Sequence, residues 1–174
     1  YVAVFSPSAQ GYLDSISFPI EEERMAVVIQ ELVGQSFGDH FYPHISGVAQ
    51  SYNYYPFSRM KPEDGLATMA TGLGKHVCEG GNSHRFCPKL PRLDIDKVEQ
   101  QLESSQKHLW ALNLNVTDFS DMYEEEATLV QLPLEQAEKD GVLDYLVSVW
   151  DEQNQRLEPG NYIHGPQIVD FAQI

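Results

Sequence analysis

The apolar and polar positions predict many short strands and few helices. Residues 1–20 mix turn formers (Ser6-Pro7-Ser8, Gly11) with scattered aromatics and read as irregular, with a short strand at Tyr1–Phe5. In Met25–Gly34 the β-branched run Val27–Ile29 favours a buried strand, the Glu-rich approach favours a helix, and so short a run has no decisive period. Gly47–Tyr55, closed by Pro56, reads as a strand, and so does Leu66–Met69 after the turn residues Pro62-Glu63-Asp64-Gly65. Glu79–Ser83 is a further turn and His84–Pro88 a short extended piece. Asp94 or Asp96 would cap a helix over roughly 95–107 with Ile95, Val98 and Leu102 as its apolar stripe. Leu109–Leu114 alternates, a polar link covers Asn115–Asp121, and Thr128–Leu132 is a strand. Pro133–Lys139 is a helix ended by Gly141. Leu143–Trp150 returns through the turn Asp151–Asn154 to Gln155–Leu157, and Ile168–Phe171 is one more strand. Strands outnumbering helices, without strict alternation, predict an α+β class with a mostly antiparallel sheet. No repeat or linker divides residues 1–174, so they read as one domain, or part of one.

Composition narrows the function classes. At 42% hydrophobic and 11% aromatic, the chain has material for a real core. Its net charge of −15 argues against nucleic acid or an anionic membrane as a bulk partner. The bases are unevenly spread: seven of eleven (Arg59, Lys61, Lys75, Arg85, Lys89, Arg92, Lys97) fall within residues 59–97. That island suits a small polyanion such as a nucleotide phosphate, or is a solvated loop region with ordinary salt bridges. No apolar run is long enough for a membrane span, and two cysteines make no disulfide framework, so a cytoplasmic setting is expected. The chain starts at Tyr1 without Met and stops at Ile174 inside an apolar phrase, which suggests a piece of a longer protein.

Several candidate motifs have simpler readings. His76, Cys78, His84 and Cys87 are zinc-type ligands around a Gly-Gly turn, but their spacing fits no familiar zinc module, and as extended chain only His76 and Cys78 would share a face. Buried cysteines and surface histidines are the plainer assignment. His40 and His44 are separated by Pro43 and read as loop residues. Glu124–Glu126 is a solvated acidic run, and Asp121 and Asp151 are turn or cap acids. Gly72-Leu73-Gly74-Lys75 lacks Walker spacing, so a P-loop is rejected, although two glycines permit close backbone approach.

Three phrases in order are more specific together: Met-Ala-Val-Val-Ile-Gln-Glu-Leu-Val-Gly at 25–34, Ile-Ser-Gly-Val-Ala at 45–49 and Gly-Leu-Gly at 72–74. Together they resemble the phosphoenolpyruvate synthase and pyruvate phosphate dikinase family. There a Val-x-Val-Gln-x-Met-Val strand precedes Ser-Gly-Val-Ala or Ala-Gly-Val and a later Gly-Leu-Gly-Glu. Phe41–Ala49 and Gly72–Lys75 are similar to a divergent group of synthase-related proteins, and the resemblance is strongest over residues 21–90.

The resemblance implies an ATP-grasp type of fold truncated at both ends. It implies that Gln30, Glu31, Leu32 and Val33 line an adenine pocket, with Glu31 accepting from the amino group and Leu32 and Val33 covering the ring. Gly72, Gly74 and Lys75 would form a second part of the nucleotide site. Lys75 stands where the family has Glu, which leaves it either a point charge for a phosphate or a surface lysine after a turn. The whole protein would be an ATP-dependent phosphotransferase using Mg²⁺, with pyruvate or another phosphoryl acceptor and a phosphohistidine domain on the same or another chain. The Asp-x-Glu phrase that carries the metal-binding acids in the family, and the Gln-x-Arg phrase that follows it, are not found here, so this piece alone would be inert and bind ATP weakly or not at all. Two other classes remain: a degenerate, non-catalytic nucleotide-binding module, and a protein-interaction domain suggested by the acidity and by Tyr52, Tyr54 and Tyr55.

Overall fold

The computed structural model describes residues 6–16, 26, 28–91, 93, 95–116, 128–160 and 167–174. The chain forms two compact units, Tyr1–Leu32 and Val33–Ile174.

The described part of the first unit has one helix, α1 (Pro7–Ser15). The Ser6 hydroxyl accepts from the Ala9 N–H at 3.3 Å, and Pro7 occupies the first turn, where its missing N–H costs nothing. This corrects the reading of residues 1–20 as irregular: Ser-Pro followed by helix-tolerant residues is a start signal. The predicted strand at Tyr1–Phe5 lies outside the described residues. The predicted strand within 25–34 does not form among its described residues. Residues 28–34 pair with no strand, and Val28 and Ile29 are 79% and 91% exposed. β-branched residues favour strands because they pack on a pleated neighbour, and none is supplied here.

The second unit is α+β, and every strand pairing among the described residues is antiparallel. Strands β1 (Gln35–Phe37) and β2 (His40–Tyr42) form a tight hairpin whose turn uses Gly38 at φ +58°. With β6 (His108–Asn113) and β7 (Leu129–Pro133) they make a sheet in the order β1-β2-β6-β7. A second sheet has the order β3-β4-β5, from Ser46–Gln50, Leu66–Ala70 and His84–Phe86. The third, in the order β10-β8-β9, consists of β8 (Val147–Asp151), β9 (Arg156–Pro159) and β10 (Gln167–Val169). The described residues of the unit also form three short α-helices, α2 (Lys75–Cys78), α3 (Val98–Ser104) and α4 (Leu134–Lys139), and a 3-10 turn at Pro62–Asp64. No helix of the described residues is long and apolar enough to cross a membrane.

The alternation in β6 acts as predicted. Leu109 and Ala111 are fully buried and join Tyr42, Leu134, Leu143 and Val147 in one core shared by the first sheet, α4 and the third sheet. Tyr42 donates to the Asp140 carboxylate at 2.5 Å, tying β2 to the end of α4; burial, then that bond, push its hydroxyl well above the usual phenol range.

Three boundaries differ from expectation. The strand at 47–55 ends at Gln50, because Asn53 turns the chain: its N–H donates to Pro62 O and its carboxamide accepts from the Tyr55 N–H. The stretch 143–146 is a turn in which the Leu146 N–H meets Leu143 O; it buries Leu143 and Leu146 and exposes Asp144 and Tyr145, and the strand begins only at Val147. Helix α3 starts at Val98, where Gln100 accepts from the Lys97 N–H, and stops at Ser105, whose hydroxyl accepts from the Val169 N–H.

Candidate functional site

The phrase Thr71-Gly72-Leu73-Gly74 leaves β4 and lies on the first sheet. Its backbone is fixed at two points, with the Gly72 N–H donating to Pro43 O at 3.2 Å and the Leu73 N–H to Trp110 O at 2.8 Å. Gly72 has φ +85°, and a Cβ there would stand 2.8 Å from Trp110 O and 2.9 Å from Leu109 Cβ. Close approach is therefore real at Gly72 and concerns β6. At Gly74, with φ −68°, the nearest atom to an added Cβ is 3.8 Å away, so no such demand exists.

The chain then turns into α2, so His76 and Cys78 are not on extended chain. Lys75 reaches back over the sheet. Its Nζ lies 4.6 Å from the centre of the Trp110 ring and 3.4 Å from Glu79, four residues on. The Lys75 side chain is only 15% exposed against 63% for Glu79, which excludes the reading of a plain surface lysine. Each of these contacts is modest: about 0.5–1 kcal/mol for an ammonium over an indole near solvent and about 0.3–0.5 kcal/mol for such a helical ion pair.

His76 forms the next part of the wall. Its Nε2 is 3.0 Å from His108 O, a carbonyl that can only accept, so Nε2 carries the proton and Nδ1 keeps its lone pair toward Gly81. Burial lowers the His76 pKa, partly offset by the bond to His108. A folded-state pKa below the unfolded value gives stability that is fully present above about pH 6.5 and is lost as pH falls through the folded value. Replacing His76 with glutamine, whose amide can still donate to His108 O, should therefore reduce the loss of Tm between pH 7 and pH 5, as followed by circular dichroism. An unchanged loss would mean that His76 does not titrate in this window.

Between α2, the Gly80-Gly81 turn and the face of β6 and β7 runs an open groove of about 430 Å³. Lys75, His76, Asn82, Lys107, Trp110 and Gln131 line it. Asn82 is oriented by its bond to Ser105 O at 2.9 Å. Trp110 and Gln131 are register partners on β6 and β7. The groove thus combines two ammonium groups, an aromatic face and two amides, a set that can hold an anionic ligand carrying a ring.

Of the residues expected at a nucleotide site, Gly72, Gly74 and Lys75 meet at this one loop. Gln30, Glu31 and Leu32 belong to the first unit and Val33 begins the second; all four are exposed and outside any strand. Lys107, Trp110, Asn82 and Gln131 escaped the sequence reading. One signal was visible: Trp110 falls out of phase with Leu109 and Ala111, so in an alternating strand it points away from the core.

No group of three His, Cys, Asp or Glu side chains gathers as a metal site among the described residues. His76 and Cys78 sit on a helical turn; Cys78 is exposed, and Cys87 is buried with its thiol 3.8 Å from Asp64 O. Mg²⁺ asks for several hard oxygen ligands. Among the described residues the groove offers one carboxylate, Glu79, already paired with Lys75, so these residues do not fit a magnesium site. Compared with known proteins, the chain matches no family model, no curated protein and no solved structure.

Proposed function

We propose that this chain supplies part of the ATP-binding cleft of a cytoplasmic phosphotransferase similar to phosphoenolpyruvate synthase, which converts ATP, pyruvate and water to phosphoenolpyruvate, AMP and phosphate. One observation carries the reading. The Gly-Leu-Gly-Lys phrase that bears the resemblance delivers Lys75 to a groove that also holds Lys107 and Trp110, in a chain of net charge −15. Concentrating cations in an otherwise acidic molecule favours a compact polyanion, and a triphosphate is one. In this reading Lys75 and Lys107 neutralise phosphate oxygens, and Asn82 and Gln131 supply hydrogen bonds. Mg²⁺, the phosphoryl acceptor and the phosphohistidine domain come from parts of an ATP-grasp enzyme other than this groove. Two free cysteines, one of them exposed, accord with the cytoplasmic setting.

Calorimetric titration with ATP up to millimolar concentration tests the proposal. ATP should bind, and Lys75→Ala with Lys107→Ala should weaken it by about tenfold or more, equivalent to about 1.4 kcal/mol, in protein whose circular dichroism is unchanged. ATP binding that ignores both lysines would remove the groove from the reading. No binding by the folded chain would favour an interaction module instead. That second reading has its own support in a loop that exposes Tyr52, Tyr54, Tyr55 and Phe57 at 46%, 76%, 90% and 55% while the buried Asn53 fixes its backbone. Aromatic residues so presented are typical of binding hot spots.

A further inference from the structure

Resting on the ATP reading, we infer that the indole of Trp110 is the stacking platform for the purine ring and that Lys75 guards it, moving from the ring face to the phosphates as a nucleotide binds. Trp110 projects from β6 on the side opposite the buried Leu109 and Ala111, so its ring faces the groove. Gln131 stands beside it in register, and a carboxamide at that place can pair with the amino group and ring nitrogen of adenine. A flat π-face next to an amide is the chemistry of base recognition, and a purine offers the larger stacking area.

The ammonium of Lys75 now covers that face at 4.6 Å, steadied by Glu79 at 3.4 Å. Lysine is a compact charge on a flexible four-carbon stem, so it can leave the ring without moving the backbone. The rest of the wall is held. His76 is tied to His108 O, Asn82 to Ser105 O, and the Leu73 N–H to Trp110 O. One side chain can therefore exchange partners while its frame stays in place. A cation on the ring is replaced by a base, and the cation gains a phosphate. The ligand class is a purine nucleotide with phosphates, and a nucleoside alone would have to compete with Lys75 for the ring.

The test uses the full chain with Trp150→Phe, which leaves Trp110 as the sole indole, and follows its emission during titration with ATP, adenosine or tripolyphosphate. ATP should quench the indole. Trp110→Leu, followed by calorimetry, should weaken ATP by about tenfold and leave tripolyphosphate unchanged. Lys75→Met should move the two ligands in opposite directions, weakening ATP and tightening adenosine severalfold. If Lys75→Met weakens adenosine together with ATP, the guard role is overturned. If Trp110→Leu keeps full ATP affinity in folded protein, the platform lies elsewhere, and the ATP reading survives without it. If neither quenching nor heat appears with ATP, both fail together.

Discussion

Replacing Gly72 with alanine should destabilise the second unit by about 2–4 kcal/mol, read as a lower midpoint in urea. Two separate costs add. The residue has φ +85°, where a side chain costs about 1–2 kcal/mol. The new methyl would also stand 2.8 Å from Trp110 O and 2.9 Å from Leu109 Cβ. Neither can retreat easily, because Leu109 is fully buried and β6 is paired on one side with β2 and on the other with β7. Gly74→Ala is the internal control. With φ −68° and 3.8 Å of clearance, it should change stability by no more than about 0.5 kcal/mol. Equal midpoints for the two variants would show that the loop does not press on β6 as described.

Gln106→Leu should cost a similar amount, about 2–4 kcal/mol, for a different reason. Gln106 is 3% exposed and makes three bonds to backbone: its Oε1 accepts from the Thr71 N–H at 2.9 Å, and its Nε2 donates to Thr71 O and His108 O, each at 2.8 Å. It acts as an absent piece of ladder between the end of β4 and the start of β6. Leucine fills similar space but takes the Gln106 partner from the Thr71 N–H and Thr71 O, while His108 O keeps its bond from His76; an unpaired buried donor or acceptor costs about 1–3 kcal/mol. Denaturant unfolding of Gln106→Leu beside Glu103→Leu, an exposed position of α3, isolates the effect. Near-equal midpoints for the two would sink the bridging role.

These positions show where sequence reading succeeded and where it stopped. The α+β class, β4, β5, β7, α4 with its closing glycine and the β8–β9 hairpin were legible, because alternation, turn residues and helix ends act over a few neighbours. Helix α1 was legible in principle through Ser6-Pro7 and was missed. The segment 28–34 has strand-like residues that pair with no strand, and Leu143 and Leu146 are core residues on a turn; in both, composition followed burial or propensity while the backbone did something else. Gln106 looked like one more polar residue near a helix end, since its partner Thr71 lies 35 positions away. The candidate site was half visible. Lys75 could be named from its phrase, whereas Lys107, Trp110 and Gln131 reach it only through the pairing of distant strands.

The order β1-β2-β6-β7 bears on how quickly the molecule can form. The hairpins β1–β2 and β8–β9 close over a few residues and can zip within microseconds, but β2 meets β6 across about seventy residues of intervening chain. That closure loses much chain entropy before any core contact compensates for it, so the refolding rate should be governed by this one seam. The Gly72 loop lies across it, bonded to Pro43 just after β2 and to Trp110 within β6. The groove beside that loop is therefore completed only with the slowest pairing, after most of the local hairpins exist.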